Sequence, residues 1–279
     1  MACGENPKRV YGERNQAPST RMGNVAGYRQ AFADAENYQH QWQKYEAEVA
    51  AYEKKKAKDR DPVEQPVPPK RDLRLETLVA AMQGQVQVQV HCYRADEMAV
   101  MLDLAQEFHF KIAAFHHGVE AYKIADRLAQ EGVCGALWAD WWGFKLEAYD
   151  GIWENLAYVD APKDGCAIVH SDSDEGIQRL NQEAAKAMSR GQRAGLDIPP
   201  ERAIRWITSN AAKALGLAGR VGTLEPGKMA DVVVWNRDPF SVYALPDLVY
   251  IDGALAFDRN HPPATPRSDF LLGQPGVAR

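Results

Sequence analysis

The sequence predicts an α/β fold: a parallel sheet with crossover helices, followed by a small β appendage. Three observations predict it. Between about residue 85 and residue 190, short apolar or alternating runs take turns with stretches of helical period. None of these runs is followed by a glycine-rich GxGxxG, so a dinucleotide-binding version has no support. Beyond residue 218 the pattern changes to short strand-like runs separated by Pro-Gly and Asp-Gly turns. On this pattern the main sheet either closes into a barrel or lies open as a doubly wound fold.

Taken in order, residues 1–24 read as loop, because GENPK, APST and RMGN are rich in turn formers. From about Val25 to Lys58, Tyr28, Phe32, Ala35, Tyr38, Trp42, Tyr45, Val49 and Tyr52 recur at three- and four-residue steps. This predicts a long helix whose aromatic stripe is for packing. KKKAKDR reads as its solvated terminus, and DPVEQPVPPK as a stiff connector. A helix over Asp72 to Met82 is expected to fold back as a hairpin. Next come strand QVQVQVH, helix Ala95 to Phe108, strand KIAAFHH, helix Val119 to Gln130 and strand GVCGALW. A Trp-rich loop leads to strand CAIVHSD, then to helices Glu175 to Arg190 and Pro200 to Leu217. VGTLEPGKMADVVVWN and DLVYIDGALAF form the β appendage, and the last dozen residues read as a tail. The expected division is 1–218, with a helical insertion at about 25–83, and 219–279.

Composition narrows the function class. Of 279 residues, 46% are hydrophobic and 25% charged, with a net charge of -5. That balance lacks the basic face of a nucleic-acid binder. No run approaches the ~20 apolar residues of a membrane span. MACGENPKRVYGERN lacks the apolar core of a signal peptide. Cys3, Cys92, Cys134 and Cys166 form no CxxC pair, so buried free thiols are favoured over disulfides. Free thiols slightly favour a cytoplasmic location. A small-molecule enzyme is the default.

Strand parity singles out the chemistry. Side chains alternate across a strand, so Gln85, Gln87, Gln89 and His91 share one face of QVQVQVH. Ala113, Phe115 and His117 share a face of the next strand, and Cys166, Ile168, His170 and Asp172 one of the last. Three strands thus end in His, His and Asp, on separations of about 26 and about 55 residues, one and two strand–helix units. Two imidazoles and a carboxylate suit zinc or a similar divalent ion, one or two in number. Asp172 could also carry a proton from water to a leaving amine. A lone strand-end His is more often merely packed; the weight rests on the set. His116 has the other parity and is read either as a support behind the ligands or as structural. His170, one step deeper than Asp172, is placed to orient it by a hydrogen bond. Asp174 reads as the start of the next helix; His40, His109 and His261 receive no role.

HCYRADE, HHGVEAYKIADRLAQEGV, HSDSDE and WITSNAAKALGL with VGTLEPGKMADVVVW resemble the amidohydrolase superfamily, specifically its imidazolonepropionase-like group. Ala211 stands where that group usually has proline. GENPKRVYG resembles the segment after the family's fourth strand. The resemblance implies a partial (β/α)8 TIM-type barrel, roughly strands five to eight plus helices, with the small β domain of the family's tail. It implies that His91, His117 and Asp172 are metal ligands, with Asp172 the general acid/base. The activity implied is metal-dependent hydrolysis of an amide or other C–N bond in a small-molecule substrate, through metal-activated water.

The family's first-strand HxH pair has no counterpart here. The alternative reading is therefore an incomplete, non-catalytic half-barrel that needs a partner or a missing N-terminal segment. That partner would be a second copy or a chain supplying the N-terminal half. Tyr93, Arg94 and WADWWGFKLEAYDG are candidates for the substrate side, with no motif that names a substrate.

Overall fold

The computed structural model describes residues 1–56 and 64–262. The alternating segments form strands β1 (Val88–His91), β2 (Ile112–His116), β3 (Cys134–Leu137) and β4 (Ala167–Val169), all parallel and ordered as in the sequence. Among the described residues nothing reverses that order, which is the succession of a barrel and not of a doubly wound sheet. Their N-terminal neighbour is the start of the chain. Residues 1–3 run parallel to β1, with His91 N–H donating to Met1 O and Cys3 N–H to His91 O.

Helices α4 (Ala95–Glu107), α5 (Ala125–Gln130) and α6 (Asn155–Asp160) return the chain between strands. On the helix side, Val88, Val90, Phe115, Leu137 and Val169 join Met98, Met101, Leu102, Leu128 and Leu156 in the main core. The inner side carries smaller groups: Ala114, Cys134, Ala136, Cys166 and Ile168, met by Ala214. Ala214 ends α9 (Ser209–Ala214), and its carbonyl accepts from Gln89 Nε2 at 2.7 Å. A parallel sheet needs both faces covered. Here α9 covers part of the inner one.

Several elements differ from expectation. Residues 1–24 are not all loop, since α1 (Glu5–Gly12) forms within them. No side chain of its own turn caps α1. Glu5 N–H instead donates to Glu147 Oε2, 142 residues away, a cap that local sequence does not reveal. The long helix, α2 (Arg21–Lys56), begins earlier than expected, and only its first half is buried. Phe32 is the key residue there, stacked on Phe108 and Phe110. α3 (Leu73–Met82) packs back on α2 as expected, with Asp72 accepting from Arg74 and Leu75 N–H as its cap. The end of KKKAKDR and the start of the connector lie outside the described residues, as does the tail.

The segment Val119 to Gln130 divides into a 3-10 turn over Ala121–Ile124 and then α5. Glu175 to Arg190 likewise opens on a 3-10 turn before α7 (Leu180–Arg193). Pro200 to Leu217 is broken into α8 (Pro200–Ala203), a 3-10 turn and α9, because Thr208 leaves the helical region at φ -134 and ψ -97. The appendage is an antiparallel sheet of β5 (Val232–Trp235), β6 (Pro246–Ile251) and β7 (Ala254–Asp258). Asp252 and Gly253 both have positive φ between β6 and β7, as a two-residue hairpin of this twist requires.

The free-thiol expectation is corrected. Cys3 is bonded to Cys92, and Cys134 to Cys166. Each pair is brought together by neighbouring parallel segments, a juxtaposition that spacing along the chain hides. The support that free thiols lent to a cytoplasmic location goes with them. Among the described residues, no helix is long and apolar enough to cross a membrane.

Candidate metal centre

The centre lies at the C-terminal ends of the strands, where barrel folds carry their chemistry. His91 ends β1 on the inner side, as parity predicts. In β2 the structure corrects the parity. His116, not His117, continues the inner face: it stands opposite His91 in the ladder, and its Nε2 lies 2.9 Å from Gln89 Oε1. Phe115 and Ile112 face the helices. His117 reaches the centre by another route. It adopts φ +62°, a left-handed conformation that interrupts strand alternation and swings the ring inward. Its ring centroid then lies 4.3 Å from that of His91 and 4.9 Å from that of His170. Such a backbone in a non-glycine residue is uncommon and is often found at functional sites.

β4 delivers the remaining groups. His170 hydrogen-bonds through its N–H to Leu137 O, and two residues later the half-exposed Asp172 turns back toward both imidazoles. Asp172 Oδ2 lies 3.4 Å from His117 Nδ1, and Oδ1 lies 3.8 Å from His170 Nδ1. One ligand atom from each of His117, His170 and Asp172 falls within 4.8 Å of the others. His91 adjoins this group, but its Nε2 faces Asn6 Nδ2 at 3.0 Å. Asp174 accepts from Glu175 N–H at the start of the following turn, away from the imidazole group.

Electrostatics favour neutral rings. Burial, reinforced by the neighbouring imidazoles, pushes His117 down to about 3 and His170 to about 4. Burial also lowers His91 and His116, and it raises Asp172 against the opposing pull of His116. Neutral imidazoles keep a lone pair free for a cation. His117 Nδ1 and His170 Nε2 are buried with no hydrogen-bond partner, an unfavourable state unless something occupies them. Two desolvated nitrogen donors and a carboxylate oxygen fit a zinc-like divalent ion.

Aromatic rings wall one side of the centre. Tyr93 stacks on His117 at 5.5 Å, while Trp138 lies 4.8 Å from His117 and stacks on His170 at 5.4 Å. Trp138, Trp141 and Trp142 line a small cavity beside His117. Sequence reasoning gives no individual role to three residues beside the site. Asn6 lies in GENPKRVYG, and Lys145 and the buried Glu147 both lie in WADWWGFKLEAYDG, which marks the substrate side only as a segment. Lys145 Nζ sits 3.7 Å above the Tyr93 ring.

Residues 163–258 match the model of the amidohydrolase family. The chain is 35% identical to amidohydrolase tasK of Hapsidospora irregularis over 266 residues, covering 92% of this chain and 25% of that protein. It superposes on the crystal structure of an amidohydrolase from Thermotoga maritima with a TM-score of 0.74 and 35% identity, covering 93% of this chain and 62% of that one. The chain is similar to amidohydrolases across nearly all of its length. Its match to the imidazolonepropionase of Erwinia tasmaniensis is shorter but sharper, 61% identical over 38 residues, which are 14% of this chain and 9% of that enzyme. The chain thus spans a quarter of one amidohydrolase relative and under two thirds of the other. The four parallel strands here are the barrel-type sheet of such amidohydrolases, and the three antiparallel strands are a separate small sheet.

Proposed function

We propose that this amidohydrolase chain carries part of a metal-dependent hydrolase site acting on an amide or other C–N bond of a small molecule. Residues 1–218 would supply the site and 219–279 the appendage. The observation that carries the reading is the convergence of His117, His170 and Asp172, with His91 beside them and two buried ring nitrogens lacking partners. His91, His117 and Asp172 are the proposed ligands. A bound divalent ion would supply Lewis acidity and lower the pKa of a water toward ~7. Asp172 accepts a proton from the attacking water and returns it to the departing nitrogen as the C–N bond breaks. Its raised pKa favours that exchange. His170, beside Asp172, orients the carboxylate.

A second assignment has an observation of its own: the group within 4.8 Å contains His170 in place of His91. Zinc titration of His91→Ala and His170→Ala separates the two. The proposed ligands predict that His91→Ala lowers zinc affinity at least tenfold and that His170→Ala lowers it less. The opposite order assigns His170 as the ligand.

The reading as a whole is tested on the full chain by metal analysis and by hydrolysis of a panel of dipeptides and N-acyl amino acids. Asp172→Ala is expected to lower turnover by about 100-fold or more, the usual scale of general acid–base catalysis. If metal content and hydrolysis both survive that change, the reading is wrong. The amidohydrolase similarity across nearly all of this chain favours the hydrolase over a non-catalytic half-barrel.

A further inference from the structure

The loop between β3 and α6 places one cation against a site otherwise built from neutral imidazoles, aromatic rings and Asp172. Lys145 Nζ lies 2.8 Å from Glu147 Oε1, 3.3 Å from Asn6 Oδ1 and 3.7 Å from the centroid of Tyr93. Asn6 contacts His91, and Tyr93 stacks on His117, so the ammonium stands one residue from each. Its charge reaches both rings, disfavouring their protonation. An ammonium has three N–H donors. One donates to Asn6 Oδ1, while Glu147 Oε1 is an ion-pair partner without hydrogen-bond geometry. The ammonium otherwise faces the π face of Tyr93, a weak partner that a ligand anion would replace with a stronger, charge-assisted one.

The surroundings hold this ammonium in place. Glu147 is fully buried, and its Oε2 accepts from Glu5 N–H at 2.8 Å and lies 3.3 Å from Arg21 Nη2. Arg21 also pairs with Glu97. The two glutamates are thus matched by Arg21 and Lys145, and Glu147 keeps an anchor when Lys145 turns toward a ligand. A buried carboxylate at the root of an aromatic loop is costly unless it is paired on several sides. Here the pairing fixes one side chain at the mouth of the metal centre.

We propose that Lys145 binds a carboxylate on the substrate, so that the preferred substrates are amides bearing a free carboxylate, such as N-acyl amino acids or dipeptides. Glu147 acts as the positioning residue for that lysine. The substrate class rests on the hydrolase reading above; the carboxylate subsite itself does not.

The test measures quenching of tryptophan fluorescence in the full chain, with and without added zinc, using N-acetyl-L-leucine and N-acetyl-L-leucinamide as probes. The acid is expected to bind at least tenfold tighter than the amide. Lys145→Met reduces that ratio to within twofold, Lys145→Gln does the same, and Lys145→Arg retains most of it. Glu147→Gln lowers the ratio between acid and amide, which a loss of fold would not do selectively. A ratio near one in the unmodified chain overturns the proposal. So does a ratio that survives Lys145→Met and Lys145→Gln, because the carboxylate is then held by the metal or by another group. Acid preference without turnover of any panel compound overturns the hydrolase reading and leaves the carboxylate subsite standing. Turnover without acid preference does the reverse.

Discussion

At the scale of single residues, His117 shows how burial and charge act together. Its folded pKa of about 3 lies below the 6.5 of an unperturbed histidine. Between those values the unfolded chain holds a proton that the folded chain does not. Stability therefore rises with pH across that window and is lost as pH falls from 6.5 toward 3. Urea unfolding of the metal-stripped chain at pH 7 and pH 4.5 is expected to show a larger loss for the natural chain than for His117→Asn. Equal losses would mean that His117 is not held neutral. The residue also marks where sequence reasoning works and where it stops. Parity correctly put His91 and His170 on the inner face, because both lie on or directly after regular strands. It reached His117 for the wrong reason and misjudged His116. Alternation assumes extended backbone, and a left-handed turn right after β2 cannot be foreseen from residue types when the residue is not glycine.

At the scale of elements, legibility followed the range of the interactions. α3 was readable because its cap is local: Asp72 receives the N–H groups of Arg74 and Leu75. Asp72→Ala is expected to cost about 1 kcal/mol in chemical denaturation, the usual worth of such a cap. α2 was readable because its stripe is periodic. α1 was not, because its cap arrives from Glu147 in a distant loop. The same long-range contact makes Gly4 sensitive. Gly4 has φ +79°, and a Cβ there would clash with Glu147 Oε2. Gly4→Ala is therefore expected to destabilise the chain by about 1–3 kcal/mol, through backbone strain together with displacement of a buried carboxylate. A change below about 0.5 kcal/mol in the unfolding free energy, the scale of an ordinary surface substitution, would show that Glu147 has room to move.

At the scale of the whole molecule, the parallel sheet is fastened at two depths. Cys3–Cys92 joins the first residues to the strand that carries His91, and Cys134–Cys166 joins β3 to β4 on the inner face. Alkylation of the denatured, unreduced chain should find no free thiol, and four after reduction. Four reactive thiols before reduction would return all of these cysteines to the free state expected from sequence. The two bonds close loops of different size, with separations of 89 and 32 residues. In the chain-entropy account the longer one stabilises by about 4–5 kcal/mol and the shorter by about 3–4 kcal/mol. Replacing Cys3 and Cys92 by alanine should therefore lower the unfolding midpoint more than replacing Cys134 and Cys166. The two changes should also differ at the proposed metal centre. Cys3 holds the segment that leads to Asn6 against His91, whereas Cys134 and Cys166 pack one layer deeper with Ala114 and Ile168. Zinc affinity is thus expected to fall in the first double variant and to persist in the second. Equal zinc affinity in both, with unequal stability, would mean that His91 keeps its place without the N-terminal segment.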